Sequence, residues 1–272
     1  MEPAMGKATS RDGTPIAYWR SGTGPPLVLV HGMAGDHLRW GPLLPHLEPH
    51  ATVHAMDRRG RGASGDAPEY GVAREFEDVA AVVDAVAAAT GSAVDLLGHS
   101  YGGLCAFGGA GLTANVRRLA LYEGWPLVDP AAYPLPASLQ ERLDALLAQG
   151  DRDTLLTTVM REIAGLTEEQ INALKAAPSW PARIAAAHTI PRELRAEQTH
   201  VFNPAQAAAI TAPTLLLVGG DSPGHLKNGY ETVAAAVPDA RGTVLEGHQH
   251  GADILEPNFF AQRLLTFLRE GS

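Results

Sequence analysis

The chain has 272 residues, of which 45% are hydrophobic and 19% are charged, a composition typical of a globular protein with a sizeable core. Its formal net charge of −9 excludes the broad positive field that would attract nucleic acid or an anionic membrane surface. A single cysteine, Cys105, excludes an internal disulfide and indicates a reducing compartment. No apolar run reaches the roughly 18 residues of a membrane span, and Met1–Lys7 lacks the pattern of a signal peptide. We therefore expect a cytoplasmic protein with no nucleic-acid or membrane partner, and we expect a monomer or homodimer.

Short apolar runs bounded by glycine, proline or aspartate recur along the chain and have the length of buried strands. Helical patterns separate them, so the sequence predicts a mostly parallel sheet with helices on both faces. Before the first run, Ala8–Ser10 and Ile16–Trp19 flank a turn and predict a hairpin at the edge of the sheet. The predicted buried strands are Leu27–Val30, Thr52–Met56, Val94–Leu97, Leu119–Tyr122, Thr214–Val218 and Thr243–Leu245.

The alternation of strands and helices stops after Tyr122 and resumes at Pro213. The stretch between them contains helical patterns and almost no strand signal, and Pro191 is expected to end or kink its fourth helix, which starts near Ala182. This divides the chain into a core of residues 1–123 and 213–272 and a helical insert of residues 124–212. The other predicted helices of the insert are Ser138–Gln149, Asp153–Ala164 and Thr167–Ala177, the last with a capping box.

The motif Gly98-His99-Ser100-Tyr101-Gly102 follows a predicted strand directly and precedes a helix of small residues. Glycine two places before and two places after a serine is typical of a nucleophile elbow, because the sharp turn from strand to helix leaves no room for side chains there. Such a turn exposes the hydroxyl of Ser100 and directs the backbone N–H of Tyr101 toward a site for an oxyanion. The motif favours the interpretation that Ser100 is a nucleophile over the interpretation that the segment is only a tight turn.

On this motif and the preceding strand pattern, the chain resembles the α/β-hydrolase superfamily, in its serine-nucleophile branch of esterases and haloperoxidase-like enzymes with a helical cap. Leu27–Gly32 resembles the strand and loop that supply the other half of the oxyanion hole in that family. The resemblance implies N–H donors at Met33 and Tyr101. It also implies the α/β-hydrolase fold, with a mostly parallel central sheet, helices on both faces and a helical cap inserted after the sixth strand.

The base histidine of this family lies three residues after a glycine and several before the proline that begins the last helix. Gly247, His250 and Pro257 match that spacing, so His250 is the expected general base. His248 is the local alternative. His248, His250 and Asp253 would suit a metal site only with further ligands, which the sequence does not supply, so we expect no metal.

The chain order of serine, acid and histidine in this family leaves two candidates for the acid. Asp221 follows the strand Thr214–Val218, although it comes one residue earlier than the Gly-x-x-Asp spacing usual in the family. Glu123 follows the strand Leu119–Tyr122 directly, where some members place their acid. We expect Asp221 to orient His250, with Glu123 as the alternative.

The loop Asp57-Arg58-Arg59-Gly60-Arg61-Gly62-Ala63-Ser64-Gly65 resembles the loop after the fourth strand of the family. It contains a literal G-x-G-x-x-G, the pattern of a dinucleotide-binding turn. No helix with an apolar stripe begins at these glycines, and three arginines crowd the loop. We therefore interpret these glycines as residues that shape a structural turn, and we expect no cofactor.

The insert falls where the family carries its helical cap, which covers the pocket and excludes water. Aromatic and histidine side chains in the insert or beside the oxyanion loop are candidates for substrate contact, although packing within a core is the simpler interpretation of each. The candidates are His31, Trp40, Trp125, Trp180 and His188, with Tyr133, Met160 and Phe202 as further lining residues.

The resemblance implies a serine hydrolase that cleaves an ester or related acyl bond of a small to medium, largely apolar substrate through an acyl-enzyme on Ser100. Other reactions on the same scaffold stay open, because fold does not choose among them. They are a cofactor-free perhydrolase, a C–C bond hydrolase, an acyl transferase and a lyase or cyclase of secondary metabolism. A binding protein without catalysis is the alternative from another class.

Overall fold

The computed structural model describes residues 4–132 and 135–270, and the candidate lining residue Tyr133 lies outside this range. Eight strands form one sheet in the order β1-β2-β4-β3-β5-β6-β7-β8. β1 and β2 are antiparallel, β2 and β4 are antiparallel, and all other neighbouring strands are parallel. The strands are β1 (Ala4–Thr9), β2 (Pro15–Gly22), β3 (Pro26–Val30), β4 (Thr52–Met56), β5 (Val94–His99), β6 (Val116–Tyr122), β7 (Thr214–Gly219) and β8 (Ala240–Leu245).

The edge hairpin and the six strands predicted from the sequence are confirmed, with shifts at their ends, but β8 is an edge strand in which only Leu245 is buried. Every residue of β3, β5 and β7 is buried. Strands in the middle of a parallel sheet are covered on both faces, which explains why they read as continuous apolar runs rather than as alternating patterns.

Helices pack on both faces of the sheet, as predicted. α2, α3 and α11 share one buried cluster with the sheet, and α1 and α13 share another on the opposite face. Within the described ranges, no helix combines the length and apolar character needed to cross a bilayer. The helices outside the insert are α1 (Leu44–Leu47), α2 (Val72–Thr90), α3 (Tyr101–Ala110), α10 (Gly224–Lys227), α11 (Tyr230–Ala236), α12 (Ala252–Leu255) and α13 (Pro257–Arg269).

The segment between β6 and β7 is helical, and its buried residues form a third cluster that includes Ala34 of the loop after β3. The capping box at Thr167 is confirmed. The helix predicted from Asp153 starts one residue earlier, with Asp151 as its N-cap. The helix predicted from near Ala182 ends at Ala186, and Pro191 lies in the first turn of the next long helix. Proline fits the first turn of a helix because the N–H that it lacks would have no helical partner there. The helices are α4 (Ala137–Ala148), α5 (Arg152–Glu162), α6 (Glu168–Lys175), α7 (Trp180–Ala186), α8 (Ile190–Thr199) and α9 (Pro204–Ala208).

Candidate active site

Ser100 lies between the end of β5 and the start of α3, with φ 57° and ψ −133°. A residue with a side chain adopts positive φ only where its surroundings enforce it, and such strain is concentrated at functional sites. The flanking glycines are required by space. A Cβ on Gly98 would lie 2.4 Å from the carbonyl oxygen of Gly102, and a Cβ on Gly102 would lie 2.3 Å from those of Val30 and His31. The turn therefore has the geometry that the motif predicts.

Two further glycines allow neighbouring loops to approach Ser100. A Cβ on Gly32, in the loop after β3, would lie 2.9 Å from the Cβ of Ser100. A Cβ on Gly124, directly after β6, would lie only 1.9 Å from the carbonyl oxygen of Ser100. The ends of three parallel strands thus converge on the serine.

His250 is held by a buried carboxylate at the end of β6. Its Nδ1 donates a hydrogen bond to Oε2 of Glu123 at 2.6 Å, while Oε1 of Glu123 accepts one from the backbone N–H of Gly219 at 2.6 Å. The Glu123 side chain is fully buried, and that of His250 is 20% exposed. Because Nδ1 carries the proton that points to the carboxylate, Nε2 of His250 is the nitrogen that can accept a proton.

The structure corrects the expected pairing of Asp221 with His250. Asp221 is exposed, and its backbone N–H donates to the carbonyl oxygen of His248. Glu123, the alternative acid, occupies the place beside Nδ1 of His250. Asp221 comes one residue too early after β7, as its departure from the family spacing indicated, and the turn that it enters directs it to solvent.

His250 is connected to the elbow through the residue before Ser100. Nε2 of His99 lies 2.9 Å from the carbonyl oxygen of His250, and the two rings lie 4.5 Å apart. Burial and the charge of Arg39 hold the pKa of His99 well below its usual value, so this ring stays neutral. His248 is engaged elsewhere: it is half-buried, stacks on Phe259 and bonds the carbonyl oxygen of Glu246.

The two backbone amides expected to bind an oxyanion, those of Met33 and Tyr101, have no hydrogen-bond partner in the described part of the chain. Tyr101 is the first residue of α3, where the amide has no carbonyl of its own helix to bond. Met33 follows Gly32, whose Cα lies against the side chain of Ser100. Both amides therefore belong to residues next to the Ser100 turn, and each keeps an unused donor in the described ranges.

The comparisons agree with this architecture. The model of a known family, described as the alpha/beta hydrolase family, matches residues 27–263. The chain belongs to the alpha/beta hydrolase family. It is 39% identical to an alpha/beta hydrolase from Sphaerobacter thermophilus, with a TM-score of 0.81 over 97% of this chain and 100% of that one.

Two further relatives have assigned reactions in their names. The crystal structure of the esterase RhEst1 from Rhodococcus sp. is 26% identical, with a TM-score of 0.69 over 98% of this chain and 99% of that one. The putative carbamate hydrolase RutD from Azorhizobium caulinodans is 26% identical over 270 residues, 94% of this chain and 95% of that protein. The protein is accordingly a hydrolase with the alpha/beta hydrolase fold.

Some of the residues expected to contact substrate are buried inside the hydrolase. His31 is 0% exposed and Trp40 is 1% exposed, so neither can contact substrate, and both predictions are wrong. His31 lies inside the loop after β3, and Trp40 packs with α1 and α13 beneath the sheet. A tryptophan or histidine near the site in sequence cannot be told from a core residue by pattern alone.

The three candidates in and beside the insert have different surroundings. Trp125 is buried, and its Nε1 donates to the carbonyl oxygen of Asn228 at 2.8 Å. Trp180 is partly exposed and packs against the insert cluster, as Met33 does. His188 is partly exposed, with Nδ1 bonded to the carbonyl oxygen of Ala185. Substrate contact by these three stays a prediction.

Asp36, His37 and Asp57 bring possible metal ligands together in the loops after β3 and β4. Both oxygens of Asp57 are already used: they accept from the backbone N–H and Nδ1 of His37, from Nε1 of Trp19 and from the N–H of Ala63. Asp36 caps the short 3₁₀ helix that follows it. Hydrogen bonding that organises the two loops therefore accounts for this cluster.

The glycines of the loop after β4 serve its turn rather than a nucleotide. Gly60 and Gly62 have φ of 80° and 55°, and a Cβ on Gly62 would lie 2.2 Å from a carboxylate oxygen of Asp57. α2 begins only at Val72, well after the glycine pattern. The structural interpretation of this loop agrees with these contacts.

Proposed function

We propose that the protein is a serine hydrolase that cleaves an ester or related acyl bond through an acyl-enzyme on Ser100. The observation that carries the proposal is the strained elbow at Ser100 together with the Glu123–His250 hydrogen bond beside it. A partly exposed serine, an imidazole with one free nitrogen and a carboxylate that fixes its tautomer form the set of groups that nucleophilic acyl transfer needs.

In the first half of the reaction, Oγ of Ser100 attacks the acyl carbonyl carbon and its proton passes to Nε2 of His250. Glu123 accepts the hydrogen bond from Nδ1 and stabilises the imidazolium that forms. The backbone amides of Met33 and Tyr101 donate to the developing oxyanion. Each such donor is worth on the order of 3 kcal/mol of barrier in enzymes where one has been removed.

In the second half, collapse of the tetrahedral adduct breaks the bond to the leaving group, which takes the proton from His250. Water then attacks the acyl-enzyme and gives a proton to His250. When the bond between the acyl carbon and Oγ of Ser100 breaks, His250 returns that proton to Oγ and the acid product leaves. Every proton in this cycle is exchanged between Ser100, His250, water and substrate, so no redox partner is needed.

The helical insert is proposed as the cap over this site. Its core cluster contains Ala34, the residue after Met33, so the insert packs directly on the oxyanion loop. The apolar side chains of the insert and the names of the esterase and carbamate hydrolase relatives support a small to medium, largely apolar substrate with an ester or related acyl bond.

The test is hydrolysis of a series of p-nitrophenyl esters of increasing acyl length by the wild-type protein and Ser100→Ala. We expect the wild type to release p-nitrophenol with a chain-length optimum that reports the size of the pocket. Ser100→Ala should lower kcat by about 10⁴-fold or more, because it removes the nucleophile. Equal rates in the two proteins, both shown to be folded by circular dichroism, would contradict the proposal.

A further inference from the structure

Arg58, in the loop after β4, is a fully buried cation with four kinds of contact. Its Nε and Nη2 donate to the two oxygens of Glu75 on α2, at 3.1 and 2.7 Å. Its Nη2 also donates to Oε1 of Glu193 on α8 of the insert, at 3.1 Å. Its guanidinium carbon lies 4.5 Å from the centre of the Tyr101 ring, and Nη1 faces the oxyanion loop. This one side chain joins α2, the insert, the ring of Tyr101 and the residue before Met33.

The contact with the oxyanion loop is made at the carbonyl oxygen of Gly32. That oxygen accepts from Nη1 of Arg58 at 3.2 Å and from Nδ1 of His31 at 2.8 Å. The His31 proton is fixed on Nδ1, because Nε2 must accept the backbone N–H of Arg58 at 3.2 Å. Burial and the charges of Arg61 and Arg58 hold the pKa of His31 well below its usual value, so the ring stays neutral and keeps this pattern.

The Gly32 carbonyl belongs to the same peptide unit as the Met33 amide. The described chain has no cis peptide bond, so the Met33 N–H points opposite to the Gly32 C=O in one rigid plane. Two donors on the carbonyl oxygen therefore fix the direction of the N–H. They also polarise the peptide, which strengthens the N–H as a donor.

Glu193 ties this arrangement to the insert. It is fully buried, and it accepts from both Arg58 and Arg61. Burial alone would raise the pKa of Glu193, but the charges of Arg58 and Arg61 outweigh it and lower the pKa to about 2. Arg61 also bonds Oγ1 of Thr189, the residue before α8. A charged carboxylate of the insert thus holds the arginine that reaches the oxyanion loop.

We propose that Arg58 is a positioning residue that orients the Met33 amide for the oxyanion, and that Glu193 holds Arg58 in place from the insert. The proposal rests on the acyl-transfer function proposed above. Arg58 does not touch the substrate. It acts through the Gly32–Met33 peptide, and its effect falls on the transition state, where the oxyanion exists, rather than on substrate binding.

The test compares Arg58→Lys with Arg59→Lys. Arg59 is an equally buried arginine of the same loop, paired with Asp78 and Asp12, and it does not reach the oxyanion loop. Pre-steady-state release of p-nitrophenol gives the acylation rate constant and the substrate affinity separately. We expect Arg58→Lys to slow acylation by about 10- to 100-fold with affinity within about twofold, and Arg59→Lys to change either by about threefold at most.

A second readout is inhibition by an alkyl trifluoromethyl ketone, whose carbonyl carbon bonds to Ser100 Oγ and whose oxygen becomes an oxyanion. Arg58→Lys should weaken this inhibitor by about the same factor as it slows acylation, because both depend on the oriented amide. Equal losses in Arg58→Lys and Arg59→Lys, or a loss confined to substrate affinity, would overturn the inference. Failure of the wild type to hydrolyse any ester would instead overturn the proposed function.

If Arg58→Lys does not fold, the same comparison is made one contact further out. Glu193→Gln removes the carboxylate charge that holds Arg58, and Asp78→Asn removes the carboxylate charge that holds Arg59. We expect Glu193→Gln to slow acylation by roughly 3- to 10-fold while Asp78→Asn leaves it within about twofold. Equal rates in these two variants contradict the inference.

Discussion

The carboxyl ends of β6 and β7 lie side by side in the sheet, and each is followed by a carboxylate. At the end of β6, Glu123 is buried and its Oε2 accepts from Nδ1 of His250. After β7, Asp221 is exposed, and its backbone rather than its side chain bonds the histidine loop. Two acids that follow neighbouring strands thus have different surroundings.

The backbone explains the difference. Glu123 has φ 45°, a conformation that turns the chain sharply after β6, and its Oε1 accepts from the N–H of Gly219, the last residue of β7. The end of β7 therefore supports the acid of the neighbouring strand. A buried carboxylate is stable only when hydrogen-bond donors surround it. Glu123 has such a donor in the N–H of Gly219, which explains why Glu123 can be buried beside His250.

The largest effect is expected from removing the charge at each position in turn. Glu123→Gln should lower kcat by about 10³- to 10⁴-fold, because the imidazolium loses its charged partner and the tautomer of His250 is no longer fixed. Asp221→Asn should leave kcat within about twofold. Steady-state hydrolysis of the best p-nitrophenyl ester measures both.

Urea unfolding of both variants serves as the control, since an unfolded Glu123→Gln protein would lose activity for another reason. A large loss in Asp221→Asn with little change in Glu123→Gln would reverse the assignment. Large losses in both would mean that the two acids act together.

The glycines beside the two acids extend the comparison to packing. Gly124→Ala would place a Cβ 1.9 Å from the backbone carbonyl oxygen of Ser100, which cannot move without disturbing the elbow. Gly220→Ala would meet first the carboxylate end of Glu246, at 2.9 Å, and that side chain can rotate away. We expect Gly124→Ala to lower the free energy of unfolding by about 1–3 kcal/mol and Gly220→Ala by less than about 1 kcal/mol.

Urea midpoints of the two glycine variants measure this smaller effect, with slopes compared to confirm that only stability has changed. Similar losses in both variants would show that the end of β6 does not press on the elbow more closely than the end of β7 does.

Local signals predicted the fold and the sharp strand-to-helix turn at Ser100. The strands of the parallel sheet are short apolar runs, and the elbow requires glycines at fixed spacing. Both features are therefore patterns of residues that are close together in the sequence. The helical pattern is interrupted before Pro191 as predicted, because a proline fits the first turn of a new helix but not the interior of one.

The partners of His250 and of the oxyanion loop depend on contacts between distant parts of the chain. Glu123 and His250 are 127 residues apart, and Arg58 and Glu193 are 135 apart. Chain order allowed either acid, and nothing local distinguishes Arg58 from Arg59 in the printed sequence. His31 and Trp40 were misplaced for the same reason, since burial is decided by packing of the whole domain.

The most direct test of the central claim is covalent labelling by a fluorophosphonate, followed by intact-mass and peptide mass spectrometry. The reagent transfers its phosphonyl group to an activated serine with loss of fluoride. We expect one adduct per chain, located on Ser100 and absent from Ser100→Ala. A folded wild-type protein that takes no adduct, or one that takes it on a different residue, would contradict the assignment of Ser100, His250 and Glu123 as a catalytic set.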